Sequence, residues 1–234
     1  MAQQHPSLST TSRQRLPPPT LAGLFVALIL PFLLLLGFHH SSGTSTSIVR
    51  TEAGEAALWA NFLLLIGIVL LAEKRSLSSI GLKPLQGLTL PLGLLAAFLI
   101  SLVFPLAFLV MTKLGISHNV AAAERIYSLP FTLRLVMVLT AAVVEETLFR
   151  SYPIERLTAI LGNKWLAGLI TIIVFTVAHV PFWGAAQMIP VFLGSILLTL
   201  LYLWKRDLVV NIVAHFVVDG IGFLLVPLFV NWSG

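Results

Sequence analysis

Seven stretches of this chain are long and apolar enough to demand a helix buried in protein or lipid: residues 21–38, 56–72, 87–112, 131–149, 164–180, 187–204 and 208–230. A helix needs roughly 20 apolar residues to cross the hydrocarbon core of a bilayer, and each stretch reaches or approaches that length. Backbone polar groups find no water in lipid, so helices that close on their own hydrogen bonds are the available solution. Only 10% of the residues are charged and 58% are hydrophobic, whereas a soluble domain carries about 25% charged residues. The sequence therefore predicts an all-α, polytopic transmembrane helical bundle of about seven helices. Residues 150–163 are read as an eighth, partial segment entering the membrane, because Pro153 follows Tyr152 and interrupts the helix before it. Pro105 predicts a tilted or kinked third span, and the short connection 180–187 predicts a tight hairpin.

Charge fixes the expected orientation. With the N-terminus cytoplasmic, ten of the fourteen Lys and Arg residues fall on the inner side (Arg13, Arg15, Lys74, Arg75, Lys83, Arg150, Arg156, Lys164, Lys205 and Arg206). Arg50, Lys113, Arg125 and Arg134 fall outside. That bias is the positive-inside pattern. The net charge of +5 is thereby a topological signal and not a nucleic-acid one, since no basic cluster is interleaved with aromatics. Residues 1–20 are polar and rich in Ser, Thr, Gln and Pro, which predicts a disordered tail. The absence of cysteine excludes disulfides, thiolate metal sites and cysteine nucleophiles.

The informative residues are those that break the apolar rule. Ionisable groups within a span are costly, so they face the protein interior and mark function. Three fragments contain them. In Glu145-Glu146-Thr147-Leu148-Phe149-Arg150, adjacent carboxylates point about 100° apart on a helix, while Glu146 and Arg150 share a face and can pair. Glu145 is left for proton chemistry, the role of a general base. The plainer reading is two interfacial glutamates neutralised by one arginine. In Phe175-Thr176-Val177-Ala178-His179, Phe and His share a face, and a lone histidine there is also compatible with a hydrogen-bonded structural role. In His215-Phe216-Val217-Val218-Asp219, His and Asp share a face deep in an apolar run. The plainer reading there is a buried pair tying helices together. Converging on one cavity, the three fragments supply a base, two imidazoles and a second acid, enough to activate water and stabilise an oxyanion. No HExxH helix or phosphate-cradling glycine loop is present. Intramembrane Glu, His and Asp also build proton relays, but no inverted repeat of the transporter kind is detectable.

The ordered set EExxxR, FxxxH and HxxxN or HxxxD on successive membrane helices resembles the signature of the CAAX-protease and bacteriocin-processing family, which includes the type II CAAX prenyl endopeptidase. The segment Ser76 to Lys83, SLSSIGLK, is similar to the polar lead-in of that domain. The resemblance implies residues 21–86 as N-terminal helices with a cytoplasmic loop and 87–230 as a catalytic transmembrane domain. It implies Glu145 as the base activating water, Glu146 as the accompanying acid and Arg150 as its structural counter-charge. His179 and His215 would orient water, stabilise the oxyanion or bind metal. Asp219 stands where many members carry Asn. An Asn amide can donate to an oxyanion and an ionised Asp cannot, so Asp219 must be protonated, orient His215 or ligate a cation.

The same resemblance implies an intramembrane endopeptidase of a bacterial cytoplasmic membrane, acting on a membrane-associated substrate such as a prenylated C-terminus or a leader peptide. Its partners would be lipid and that substrate, with no nucleic acid. A metal, if used, would be held by His179, His215 and Asp219, and zinc suits such ligands. Water activation by Glu145 without an obligatory metal is the preferred expectation. The alternative is a non-catalytic membrane immunity or scaffold protein of the same fold.

Overall fold

The computed structural model describes residues 17–40, 48–116 and 120–229. The first sixteen residues of the expected tail lie outside this set. The elements run α1 (Pro18–Leu28), α2 (Leu30–His40), α3 (Ile48–Gly67, extended by a wide π turn Ile68–Ala72), α4 (Thr89–Lys113), α5 (Val120–Tyr127) and α6 (Phe131–Leu139). A π-segment (Thr140–Ser151) then leads into α7 (Tyr152–Leu161), followed by α8 (Lys164–Trp183), α9 (Met188–Lys205), α10 (Leu208–Gly220), a π turn Ile221–Leu225 and α11 (Val226–Phe229). The architecture is an all-α helical bundle, as the apolar runs required.

Among the described residues five helices are long and apolar enough to cross a membrane, and a sixth forms if α5 and the helix after it count as one span bent by 113°. The first predicted span is the shorter apolar run Pro18–Leu34. The chain is thus an integral, multi-pass membrane protein. Its outer surface fits that solvent: on α4 the exposed side chains include Leu90, Leu94, Phe98, Leu102, Leu106 and Leu109, a face that only lipid covers favourably. The opposite face of α4 packs on α10. At Gly93 a Cβ would stand 2.7 Å from the Val213 side chain, so the two backbones approach because that residue has none.

Pro153 does not interrupt its helix. The chain runs as one rod from Phe131 to Leu161, so residues 150–163 are not a separate partial segment. The reason is where the proline falls. It occupies the first turn of α7, at the seam with the wide π-segment, where the missing N–H interrupts no regular α-ladder. Gly162, with φ +67°, ends the rod, and the Asn163 side chain caps α8 by accepting from the amides of Trp165 and Leu166.

This hairpin sets the depth of the polar residues on its two arms. Glu145 stands sixteen residues before Leu161 and His179 fifteen residues after Lys164, so two antiparallel helices bring them level. A helix ending before Pro153 would instead leave Glu145 near the inner end of its span and far from His179. The mismatch disappears once the helix continues through Pro153.

A polar tier crosses the bundle below that level. Glu73, just past the π turn after α3, accepts from the Thr20 hydroxyl at 3.0 Å, the Tyr152 hydroxyl at 2.9 Å and Arg156 Nη2 at 2.6 Å. Arg156 also donates to the Ser79 carbonyl and hydroxyl, both at 3.1 Å. Glu155 pairs with Arg206 and accepts from the Tyr202 hydroxyl. The SLSSIGLK segment is stitched in here. Gly81, in the left-handed region at φ +78°, receives the Leu208 amide on its carbonyl at 2.8 Å. Lys83, Arg156, Lys205 and Arg206 therefore gather at one end of the bundle. Arg150, counted from sequence among the inner interfacial charges, is instead 1% exposed and sits inside the protein.

Candidate active site

The π-segment, α8 and α10 each contribute one of the three polar fragments, and the three meet. Glu146 is the hub. It is fully buried, and both of its oxygens are engaged. Oε1 accepts from His215 Nδ1 at 2.7 Å and lies 3.1 Å from Arg150 Nη1. Oε2 accepts from Asn211 Nδ2 at 3.0 Å. The Arg150 guanidinium lies over the Phe175 ring, 3.8 Å from its centroid, a cation–π contact that holds the charge where water does not reach. The pairing of Glu146 with Arg150 expected from their spacing is therefore present, inside the protein and not at an interface.

Around this buried hub lies a rim that is partly open. Glu145, His179 and Asp219 keep about a fifth of their side-chain surface accessible (21%, 17% and 22%). His179 Nδ1 donates to the Phe175 carbonyl at 2.8 Å, which leaves the Nε2 lone pair facing out. Nε2 lies 4.0 Å from Glu145 Oε1, longer than a hydrogen bond and open to a third polar partner. On α10, His215 Nε2 lies 3.4 Å from Asp219 Oδ2. Glu145 and His179 are both within electrostatic reach of His215, Asp219 and Arg150. All the side chains singled out from sequence thus converge, and the two adjacent glutamates occupy opposite surroundings, as their angular separation required.

Asn211 was not foreseen. It is fully buried and also donates to the Leu198 carbonyl at 2.8 Å, tying α9 and α10 to the hub. Its signal was available: Asn211, His215 and Asp219 stand four apart and share one helical face. The π-segment was not foreseen either, and no hydrophobic periodicity announces it.

The metal set expected from the resemblance does not form. Among the described residues no group of three His, Cys, Asp or Glu side chains is placed to hold an ion. The reason lies in the ring nitrogens. His215 gives Nδ1 to Glu146 and turns Nε2 to Asp219, while His179 spends Nδ1 on a carbonyl and turns Nε2 to Glu145. His179, His215 and Asp219 therefore share no common point, and no zinc-dependent step is drawn from them.

The site is nearer the Lys/Arg-rich end. Glu145 precedes Glu155 of the polar tier by ten residues, at most about 15 Å along a helix, but follows Phe131 by fourteen, about 21 Å.

Fold and site together define a multi-pass helical membrane protein with a carboxylate–imidazole centre enclosed by three helices. Residues 127–221, which contain all of these side chains, match the family model described as Type II CAAX prenyl endopeptidase Rce1-like. That segment is thus similar to the CAAX-protease and bacteriocin-processing family, the resemblance that the three ordered fragments implied. No curated protein and no solved structure matches it.

Proposed function

We propose that this protein is an intramembrane endopeptidase that hydrolyses a peptide bond of a membrane-associated substrate through water activated by Glu145. The observation that carries the reading is the contrast between the two glutamates. Glu146 has both oxygens committed inside a closed network. Glu145 faces the free Nε2 of His179 across 4.0 Å on the accessible rim. A water lodged between them gives one hydrogen to each acceptor.

The chemistry is then general base catalysis. Glu145 takes a proton from water as the water oxygen bonds to the scissile carbonyl carbon. The negative charge that develops on the carbonyl oxygen is stabilised by the His215 Nε2–H, which the substrate oxygen comes to share with Asp219 across its long 3.4 Å contact, on a ring oriented by Glu146. Glu145 returns the proton to the amide nitrogen as the carbon–nitrogen bond breaks, leaving a carboxyl and an amine. Asp219 holds the far side of the His215 ring. With the cationic end of the bundle cytoplasmic, the site is closer to the cytoplasmic face, and a prenylated C-terminus or a leader peptide is the class of substrate. The cytoplasmic membrane of a bacterium is the proposed location.

The test is hydrolysis of a panel of membrane-anchored peptides by the purified protein in detergent. Glu145→Gln should lower turnover by about 100-fold or more, the scale of general base catalysis, with an unchanged helical circular dichroism spectrum. Full turnover in that variant would remove Glu145 as the base.

A further inference from the structure

Hydrolysis consumes one water for each bond cut, and the wide winding of the π-segment indicates where that water comes from. We propose that a cavity at the end of the bundle opposite the polar tier is a water-entry route to Glu145, with Thr140 as its inner gate; this rests on the protease reading above.

The cavity has a volume of about 430 Å³ and is lined by Glu52, Glu55, Ala56 and Trp59 of α3 and by Thr132 and Val136 of α6. Two carboxylates in its lining make this a place that water wets, unlike a lipid-filled groove. Glu55 Oε2 is buried without a hydrogen-bond partner, the kind of acceptor an internal water satisfies. The carboxyl group is also within hydrogen-bonding reach of the Thr140 hydroxyl.

Thr140 closes the inner end. It is 2% exposed, accepts from the Trp59 indole Nε1 at 2.9 Å and donates to the Val136 carbonyl at 3.0 Å. It is also the first residue of the π-segment. In that winding each amide bonds five residues back, so Thr140 and Glu145 stack on one face. In an α-helix residues five apart point well away from each other. The sequence from cavity to base is therefore Glu55, Thr140, Glu145, polar at each step through a stretch where the neighbouring positions are Ala141, Ala142, Val143 and Val144. Thr140 and Glu55 act here as positioning residues.

Because the chain has no cysteine, single cysteines report access directly. Val136→Cys and Thr140→Cys, each in the full-length protein reconstituted in phosphatidylcholine–phosphatidylglycerol vesicles, should react with a small cationic methanethiosulfonate. The added group at position 136 should lower kcat at least tenfold with KM unchanged. Thr140→Val should lower kcat likewise, and Thr140→Ser should restore it. Unreactive cysteines at both positions, beside a reactive Glu52→Cys control, would overturn the route. So would a fully modified Val136→Cys protein with unaltered kcat. Absence of hydrolysis by the unsubstituted protein would instead count against the protease reading, and the reactivity of Thr140→Cys would still decide whether water reaches the π-segment.

Discussion

His215 Nδ1 meets Glu146 Oε1 at 2.7 Å, and that bond fastens α10 to the π-segment at the level of the site. The acceptor is fully buried and also faces Arg150. Removing it leaves an arginine and an imidazole without their counter-charge in a dry interior. Breaking such a buried pair by deleting one partner costs about 3–5 kcal/mol. Glu146→Ala should therefore unfold at a clearly lower temperature in detergent, whereas Glu145→Gln should not. Equal melting temperatures for Glu146→Ala and the parent would show that the hub is not a stabilising element.

Asn211 should behave as a second fastening of the same hub. Its amide bridges Glu146 Oε2 and the Leu198 carbonyl. Asn211→Ala leaves two buried acceptors short of a donor, a loss of about 1–3 kcal/mol. Asn211→Asp should be worse, because it sets a carboxylate against Glu146. Thermal unfolding of the two variants orders them, and an aspartate variant as stable as the alanine one would contradict the donor assignment.

Asp219 accepts at 3.4 Å from His215 Nε2, and an amide oxygen at that position does the same. Asp219→Asn should hydrolyse peptide within about tenfold of the parent, a change of about 1.4 kcal/mol or less in the barrier. Asp219→Leu should fall much further because the ring loses its outer partner. Inactive Asp219→Asn with active Asp219→Leu would mean that the carboxylate opposes the reaction.

The polar tier carries a pH dependence of its own. Burial raises the affinity of Glu73 for its proton, but the Arg156 fork, the Tyr152 hydroxyl and the Thr20 hydroxyl outweigh it and hold the carboxyl below its usual range. A depressed carboxylate contributes stability that is complete above its unfolded pKa and is lost as the pH falls through its folded pKa. Stability should thus be full at neutral pH and decline below the ordinary carboxylate range near 4.5. Glu73→Gln should be less stable at neutral pH and flatter through the acid range. Parallel melting curves for the two proteins from neutral to acid pH would contradict the assignment.

Much of this site could be read from spacing alone. Glu146 with Arg150 and His215 with Asp219 are four apart, and a four-residue interval survives in any near-regular helix. The order of the three fragments along the chain carried the family resemblance, and the apolar runs fixed the class of fold. What escaped traces to winding or to long-range contact. Pro153 looked like a helix end because the rule for proline assumes a regular α-ladder, and it meets a π-segment instead. Ending the helix there would also separate Glu145 in depth from His179. Asn211 was missed because its two acceptors come from other elements, Glu146 of the π-segment and Leu198 of α9, which no local spacing reveals. The convergence of Glu73, Tyr152, Arg156 and Thr20 joins residues up to 136 positions apart, beyond any local pattern.

The π-segment makes the direction of Glu145 a property of backbone register. Each residue of a regular α-helix advances by about 100°, so rewinding Thr140–Ser151 into that form would swing Glu145 off the His179 face without altering a single side chain. The free-energy gap between the two windings is therefore a setting that decides, under the proposed mechanism, whether Glu145 faces His179. Under the proposed mechanism, substitutions far from the reacting atoms, anywhere along Thr140–Ser151, should change activity by shifting that gap alone.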